Sequence, residues 1–351
     1  MRITVLMGGT SAERDVSLAS GLRVAAALRL GGHAVTAIDT VRGRLDEQQE
    51  RALLATRVLR DLPPTQDALA QMSVRSLPAL TTLLPSREAT DLIFLGLHGG
   101  QGEDGTIQAL LDLAGLPYTG SGHLSSALAM DKDLSKRLFR DAGVLTPDWM
   151  MVRRREQAVW RTAAFGTNAV SVLQLPLIVK PSKQGSTVGL TLVKTLHALG
   201  PAIDEAFRYD DEVMLEAFVP GREMTVGILG AHALPVGEII PRHEIYDYEC
   251  KYTPGMAEEV FPAHLPEEQQ AKIQEMALRA FMALKLSGCA RIDFRMTEDG
   301  TFYCLEANTL PGLTELSLVP QAARAAGMEF GDLCERIVRL AVRPSVSGET
   351  R

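Results

Sequence analysis

The sequence predicts an α/β protein, with an open parallel sheet at its amino end and an α+β arrangement toward its carboxyl end. Three observations carry this expectation. The chain opens strand, glycine turn, helix, strand (RITVLM, VSLASGLRVAAALRLGG, HAVTAID), a βαβ unit whose helix stops at Gly31-Gly32. ATDLIFLGLHGG reads as a further buried strand ending in glycines, with a helix, GTIQALLDLAGL, behind it. Further on, strand-like runs follow one another directly through Gly- and Pro-containing turns.

A chain of 351 residues is too long for one compact core, so two or three domains are expected. The divisions fall at 1–120, 121–213 and 214–343. Residues 41–90 are the least readable stretch: QQERALLATRVLRDL fits an amphipathic helix and DLPPTQ a loop, with no chemistry assigned. SSALAMDKDLSKRLFRDAGVLTPDW reads as one capped helix ending at Gly143. LPLIVKPSKQGSTVGLTLV is strand, glycine-rich loop, strand; EVMLEAFVPGREMTVGILG is two strands joined by a Pro-Gly turn; FGDLCERIVRLAV is a closing helix.

The bulk numbers exclude several classes of function. A formal net charge of -7 gives no reason to expect nucleic acid or an anionic membrane as main partner. No apolar run approaches bilayer length, and the amino terminus enters at once into a strand rather than a signal peptide. Cys250, Cys289, Cys304 and Cys334 show no C-x-x-C spacing and read as small buried residues in a reducing compartment. A cytoplasmic protein is expected.

The chemistry concentrates in CARIDFRMTEDGTFYC and LEANTLPGLTELSL. Asp299-Gly300 is a two-residue hairpin turn signal. With those two as the loop, Glu298 pairs with Thr301, Asp293 lies opposite Glu306, and Arg291 lies opposite Asn308. Alternation then puts Ile292, Phe294, Leu305 and Ala307 on the other, apolar face. Two carboxylates directly across a strand pair repel. Oxygen donors with no His or Cys beside them suit a hard cation such as magnesium bridging to phosphates; a plain ion pair of Arg291 with Asp293 or Glu306 is the structural alternative. LIVKPSKQGSTVG ends an apolar strand in Lys180 and continues into a flexible loop, including Ser182 and Ser186, whose backbone N–H groups can wrap phosphate. No G-x-x-x-x-G-K-[ST] is present, so this is not a Walker-type site.

KPSKQGSTVG, LEAFVPGREMTV, ARIDF and LEANTLPGLT resemble the ATP-grasp fold, and within it the D-alanine–D-alanine ligases. GGTSAERDVSLASG, LHGGQGEDGT, LPYTGSG and YDYECKY are similar to the same family, from Val5 to about Gly327. The resemblance implies a Rossmann-like pre-ATP-grasp domain followed by the two ATP-grasp subdomains. It implies ATP-dependent joining of two D-alanines through an acyl phosphate, for peptidoglycan precursors, with two magnesium ions (or manganese) and a homodimer. By the same resemblance Lys132, Lys180, Lys251 and Ser182 contact the nucleotide phosphates, and the Ser186-Thr187-Val188 loop closes over them. Glu216, Ala217, Phe218 and Val219 hold adenine, and Glu223 the ribose. Asp293, Glu306 and Asn308 bind the metals.

For the amino-acid substrates, the resemblance gives Glu13, hydrogen-bonded with Ser186 and Tyr252, the first ammonium. His98 lies near that substrate, Arg291 and the Gly312 N–H face the tetrahedral oxyanion, and Ser317 with the Leu318 backbone holds the second carboxylate. Taken alone, Glu13 in the first turn of a helix starting near Ser11 reads as a capping carboxylate. Glu315-Leu316 stand where relatives often carry a histidine or another polar residue, which alters the wall of the second subsite. Two other readings stand beside this one: the same fold with D-serine, D-lactate or another amino acid as acceptor, and a dinucleotide oxidoreductase, since strand, Gly-Gly, helix and a strand ending in Asp39 mimic a Rossmann opening.

Overall fold

The computed structural model describes residues 1–55, 84–253 and 255–342. Most of the 41–90 stretch, with the loop DLPPTQ and the second half of the expected helix, lies outside them.

The amino end builds as expected. β1 (Arg2–Met7) pairs in parallel with β2 (Ala34–Asp39) and with β4 (Leu92–Leu95), while the two-residue β3 (Gly43–Arg44) adds an antiparallel edge. Apolar side chains on both faces of β1 are buried, as a sheet covered on both sides requires. Helices α1 (Arg14–Leu30) and α2 (Glu47–Ala55) follow β1 and β3, and α3 (Thr106–Ala114) follows β4. Helix α1 begins three residues later than its sequence suggests, so Glu13 is the cap residue and not part of the first turn.

The expected single helix after residue 121 is two, α4 (His123–Met130) and α5 (Lys132–Asp141). Asp131 breaks them because its carboxylate accepts from the N–H groups of Asp133 and Leu134 and caps the second. The break places Lys132 and Lys136 on α5.

Two antiparallel sheets follow. The central one has the order β5-β8-β6-β7: β5 (Trp149–Arg153), β6 (Leu177–Pro181), β7 (Thr191–Val193) and β8 (Glu212–Ala217). Helices α6 (Ala163–Leu173) and α7 (Leu196–Ala206) cover it. The second runs β12-β11-β9-β13-β14, with β10 (His232–Ala233) beside β9. Its strands are β9 (Arg222–Leu229), β11 (Gly237–Pro241), β12 (Ala257–Val260), β13 (Cys289–Met296) and β14 (Phe302–Asn308). The short α8 (Tyr248–Tyr252) joins β11 to β12, and the long α9 (Glu267–Ala283) packs under this sheet. The strands β8 and β9, joined by Pro220-Gly221, do not pair; the turn carries the chain from one sheet to the other.

The units interleave more than the expected divisions allow. Residue 213 falls inside β8, and Ala129, Phe139 and Val144 pack in the core of the β9–β14 sheet. Helices α10 (Leu318–Ala325) and α11 (Phe330–Val342) return to close the amino-terminal core against α1.

The hairpin register is the expected one at the site, by compensation. Arg291 lies opposite Asn308 and Asp293 opposite Glu306, but Phe294 faces Cys304 and Met296 faces Phe302. The turn is one residue longer than two, with Gly300 at φ 79 and its N–H on the Thr297 carbonyl. A β-bulge between Asp293 and Phe294 then absorbs the extra residue. The bulge also changes faces: Cys304, not Leu305, fills the core beside Ile292, Phe294 and Ala307, and Leu305 turns into the cleft described next.

Candidate active site

A cleft between the two antiparallel sheets is walled by Ile178 and Lys180 of β6, the loop at 184–190, residues 216–219, and Glu223 of β9. Lys132, Arg295, Leu305 and Glu306 form its floor, and Ile245, Tyr246 and Lys251 its lid. Most of the nucleotide-binding residues expected from the sequence therefore meet in one place. Ser182 is the exception: its hydroxyl is buried without a partner beneath the loop, off the cleft wall.

Positive charge in the cleft is fixed before any ligand arrives. Glu216, 3% exposed, receives Lys180 Nζ at 2.6 Å on one oxygen and Lys136 on the other. Burial opposes its charge, yet the two lysines outweigh that and hold Glu216 below the ordinary carboxylate range. The same burial pulls Lys136 down to about 8. Lys132 Nζ donates to the Gln184 carbonyl at 2.8 Å and lies 3.3 Å from Glu306. Glu306 is buried in charge terms, but Lys132, Lys251, Lys180 and Arg291 together overcome desolvation and bring it to about 2. It is an anion at every working pH.

Opposite Glu306, Asp293 accepts from Thr225 Oγ1 at 2.7 Å and from Asn308 Nδ2 at 2.9 Å. Arg291 forks onto the same carboxylate, Nε to Oδ1 at 2.9 Å and a terminal nitrogen to Oδ2 at 2.8 Å. The two acids thus share one face of the hairpin but differ in partners: Asp293 is held by Thr225, Asn308 and Arg291, Glu306 by the charge of the surrounding lysines. Glu223 pairs with Arg295 at 3.3 Å, and Arg295 also donates to the Val219 carbonyl at 3.0 Å, tying the hinge to β13.

The loop at 184–190 leans over the cleft. Ser186 and Thr187 both take left-handed backbone conformations, φ 49 and 61, which cost roughly 1–3 kcal/mol each for non-glycine residues. The contacts that compensate cross to other units: Thr187 Oγ1 donates to the Tyr246 carbonyl at 3.2 Å, and Ser186 Oγ donates to Glu13. Glu13 makes no capping bond to its own helix. The capping reading of this residue therefore fails, and its carboxylate faces the cleft's amino-terminal end.

Behind Glu13 a second polar set joins the amino-terminal sheet to the loop after β14. His98 donates from Nδ1 to the Leu310 carbonyl at 2.7 Å, and its Nε2 meets Ser20 Oγ at 3.2 Å. Ser20 Oγ accepts from Leu313 N at 3.1 Å. Desolvation lowers His98 from the ordinary histidine range. Glu103 accepts from Gly99 N at 3.1 Å and Leu310 N at 3.3 Å, and burial, with Glu13 nearby, pushes it up to about 7.

At the other end of that loop, Ser317 stands at the start of α10 without a side-chain capping bond, its Oγ instead accepting from Thr314 N at 3.1 Å. Gly312 has to be glycine here, since a Cβ would stand 2.8 Å from Ser317 Oγ. Leu318 is buried. Glu315 turns away to Arg23 at 3.0 Å and Leu316 is 80% exposed, so these two departures point outward. The Tyr252 side chain lies outside the described atoms, while Lys251 sits 5.3 Å from the Tyr246 ring centre. Asp39, which gave the oxidoreductase reading its ribose ligand, is fully buried on Arg14 and on Val41 N–H.

Sequence reasoning gave no role to Lys136, Glu103, Ser20, Thr225 or Arg295. All five lay in stretches already quoted, Glu103 in LHGGQGEDGT, Ser20 in GGTSAERDVSLASG, Thr225 in LEAFVPGREMTV, Arg295 in CARIDFRMTEDGTFYC and Lys136 in the helix after residue 121, but they act through contacts that no local pattern reveals.

Two antiparallel sheets clasping a lysine-lined cleft define the ATP-grasp class of nucleotide-dependent enzymes. Comparisons with known proteins agree. The D-ala D-ala ligase N-terminus family matches residues 2–121 and the D-ala D-ala ligase C-terminus family residues 138–339. The chain is 41% identical to the D-alanine–D-alanine ligase of Syntrophotalea carbinolica, covering 96% of this chain and 95% of that one. It is 40% identical to that of Aquifex aeolicus, covering 96% and 100%. The D-alanine–D-alanine ligase of Bacillus anthracis complexed with ATP superposes with a TM-score of 0.74 at 30% identity, covering 98% of each chain. That of Coxiella burnetii gives 0.76 at 30% identity, covering 97% and 93%. The chain belongs to the D-alanine–D-alanine ligase family. As a member it is an ATP-dependent ligase that forms D-alanyl-D-alanine for peptidoglycan precursors. Neither the oxidoreductase reading nor a Rossmann cofactor survives this.

Proposed function

We propose that the two ends of the cleft divide the reaction, the lysine-rich end activating a carboxylate and the Glu13 end choosing the amine that belongs to it. A carboxylate resists amine attack because oxide is too poor a leaving group. Transfer of the γ-phosphoryl of ATP to the first D-alanine gives an acyl phosphate, and the second amine then displaces phosphate through a tetrahedral oxyanion. Lys132, Lys180 and Lys251 neutralise the charge spread over the transferring phosphoryl. Residues 216–219 take adenine and Glu223 the ribose, with Val188 and its neighbours covering the phosphates.

The donor set beside Glu306 fits magnesium: Asp293, Glu306 and the Asn308 amide offer oxygen only, Glu306 is fully ionised, and nearby sulfur faces the opposite side of the sheet. These three residues would hold the ions. Magnesium held there would supply positive charge to offset that of the phosphates.

Glu13, oriented by Ser186, holds the first ammonium. Arg291 and the Gly312 N–H face the oxyanion, and Ser317 with the Leu318 N–H receives the second carboxylate. Tyr252 completes the Glu13 set. His98, bonded to the Leu310 carbonyl, lies near the first substrate and positions the loop after β14. Use of ATP and free D-alanine places the reaction in the cytoplasm. What carries the reading is the pairing of Asp293 and Glu306 on one face, beside a cleft with three lysines. D-alanine bearing heavy oxygen in its carboxylate tests it: the label is expected in the released phosphate, and its retention wholly in the dipeptide and unreacted D-alanine would refute the acyl phosphate.

A further inference from the structure

The lid segment between β11 and β12 carries a group of side chains that the ligase chemistry does not use. His243, Asp247 and Cys250 bring a ring nitrogen, a carboxylate oxygen and a thiol sulfur within 4.8 Å of one another. The arrangement is ordered. Asp247 Oδ1 accepts from Cys250 N at 2.9 Å, and Oδ2 meets His243 Nδ1 at 2.7 Å. Cys250 is 3% exposed although its neighbours on the segment are exposed, and backbone N–H groups of Arg242 and His243 are directed at its sulfur. His243 stays open to solvent, leaving a route in.

Each donor alone has an ordinary explanation: Asp247 caps α8, His243 pairs with it, and Cys250 fills a small apolar space. Together they differ in kind from the oxygen-only set at Asp293, Glu306 and Asn308. Nitrogen, oxygen and sulfur on one turn select a borderline-soft ion over magnesium, and three protein ligands with a fourth position open to water is a common zinc arrangement. Tetrahedral bonds near 2.0–2.3 Å set ligand atoms roughly 3.3–3.8 Å apart, so the His243–Asp247 pair would open from 2.7 Å to admit the ion between its nitrogen and oxygen and the Cys250 sulfur.

We infer that His243, Asp247 and Cys250 form a site for a zinc-like divalent cation, distinct from the nucleotide metals, that fixes the lid in its closed position. Binding exchanges protons for metal: the thiol proton of Cys250 leaves to solvent, and His243 binds as neutral imidazole, its remaining ring proton on the nitrogen away from the ion and any second proton lost to solvent, with no change in oxidation state. The ligands bracket Ile245 and Tyr246, which line the cleft, and Lys251 follows directly. Thr187 of the glycine-rich loop rests on the Tyr246 carbonyl, so a fixed lid also fixes that loop. The consequence for the cleft rests on the function proposed above; the binding of metal does not.

Cobalt(II) titration of the whole chain, free of magnesium and nucleotide, tests it. The expected result is one cobalt per chain with a sulfur-to-cobalt charge-transfer band that zinc abolishes, and loss of that band in both Cys250→Ala and His243→Ala. Zinc is also expected to slow amide hydrogen exchange across residues 242–253 in the native chain and in neither variant. Zinc-free ligase activity with magnesium and ATP checks that each variant is folded, and if one fails to fold the other decides. Absence of the band, or its persistence in a folded variant, overturns the site. A band without slowed exchange overturns the closure.

Discussion

Two glutamates, half-buried Glu306 in the cleft and buried Glu103 behind Glu13, are perturbed in opposite directions. Glu306 sits among Lys132, Lys251, Lys180 and Arg291 and falls to about 2. Glu103 sits among backbone N–H groups with Glu13 for a neighbour, and burial raises it to about 7. The same side chain is thus a permanent anion where phosphate and cations must be organised, and near-neutral where it shares a seam with another acid. Under the proposed function, this difference is what would let one end take phosphoryl and the other ammonium.

Removing the anion at the first end is the strongest way to break this contrast. Glu306→Gln or Asp293→Asn is expected to lower kcat by about 10²–10³, the usual consequence of deleting one preorganised electrostatic group; steady-state ADP release reads it. At the opposite end, Glu13→Gln is expected to raise KM for D-alanine by roughly 10–100-fold, the value of one charge-assisted hydrogen bond, with ATP binding kept.

Glu103 sharpens the comparison through pH. Its folded value lies above the ordinary 4.5, so the folded chain binds the extra proton. The stability that Glu103 contributes is therefore full below about 4.5, declines as pH rises toward 7, and is gone above it. The total loss is of order 1–3 kcal/mol. Glu103→Gln is expected to flatten that slope in denaturant titrations across this range; an unchanged slope would assign it to another group. Smaller again is Glu315→Gln, which removes an exposed pair with Arg23 and should change stability by about 0–1 kcal/mol.

Much of this was legible in the sequence where function depends on local pattern. The βαβ opening, the glycine-rich loop and the facing of Asp293 and Glu306 follow from alternation and turn chemistry. The hairpin is instructive, because the turn is one residue longer than Asp299-Gly300 indicates and a bulge restores the register at the acids. Leu305 and Cys304 exchange faces as a result, which no alternation rule foresees. The continuous helix expected across Asp131 breaks, and the boundary expected after residue 213 falls inside β8, for a related reason: capping and sheet exchange are decided by tertiary partners. Lys136 is the clearest case, since an amphipathic helix offers no sign that one lysine will be fully buried on a glutamate 80 residues away.

The contrast between the two ends is tested most directly by calorimetric ATP binding with and without magnesium, in the native chain, Glu306→Gln and Glu13→Gln. The account expects magnesium to tighten ATP binding in the native chain and in Glu13→Gln, and to have little effect in Glu306→Gln. Equal magnesium dependence in all three would contradict it.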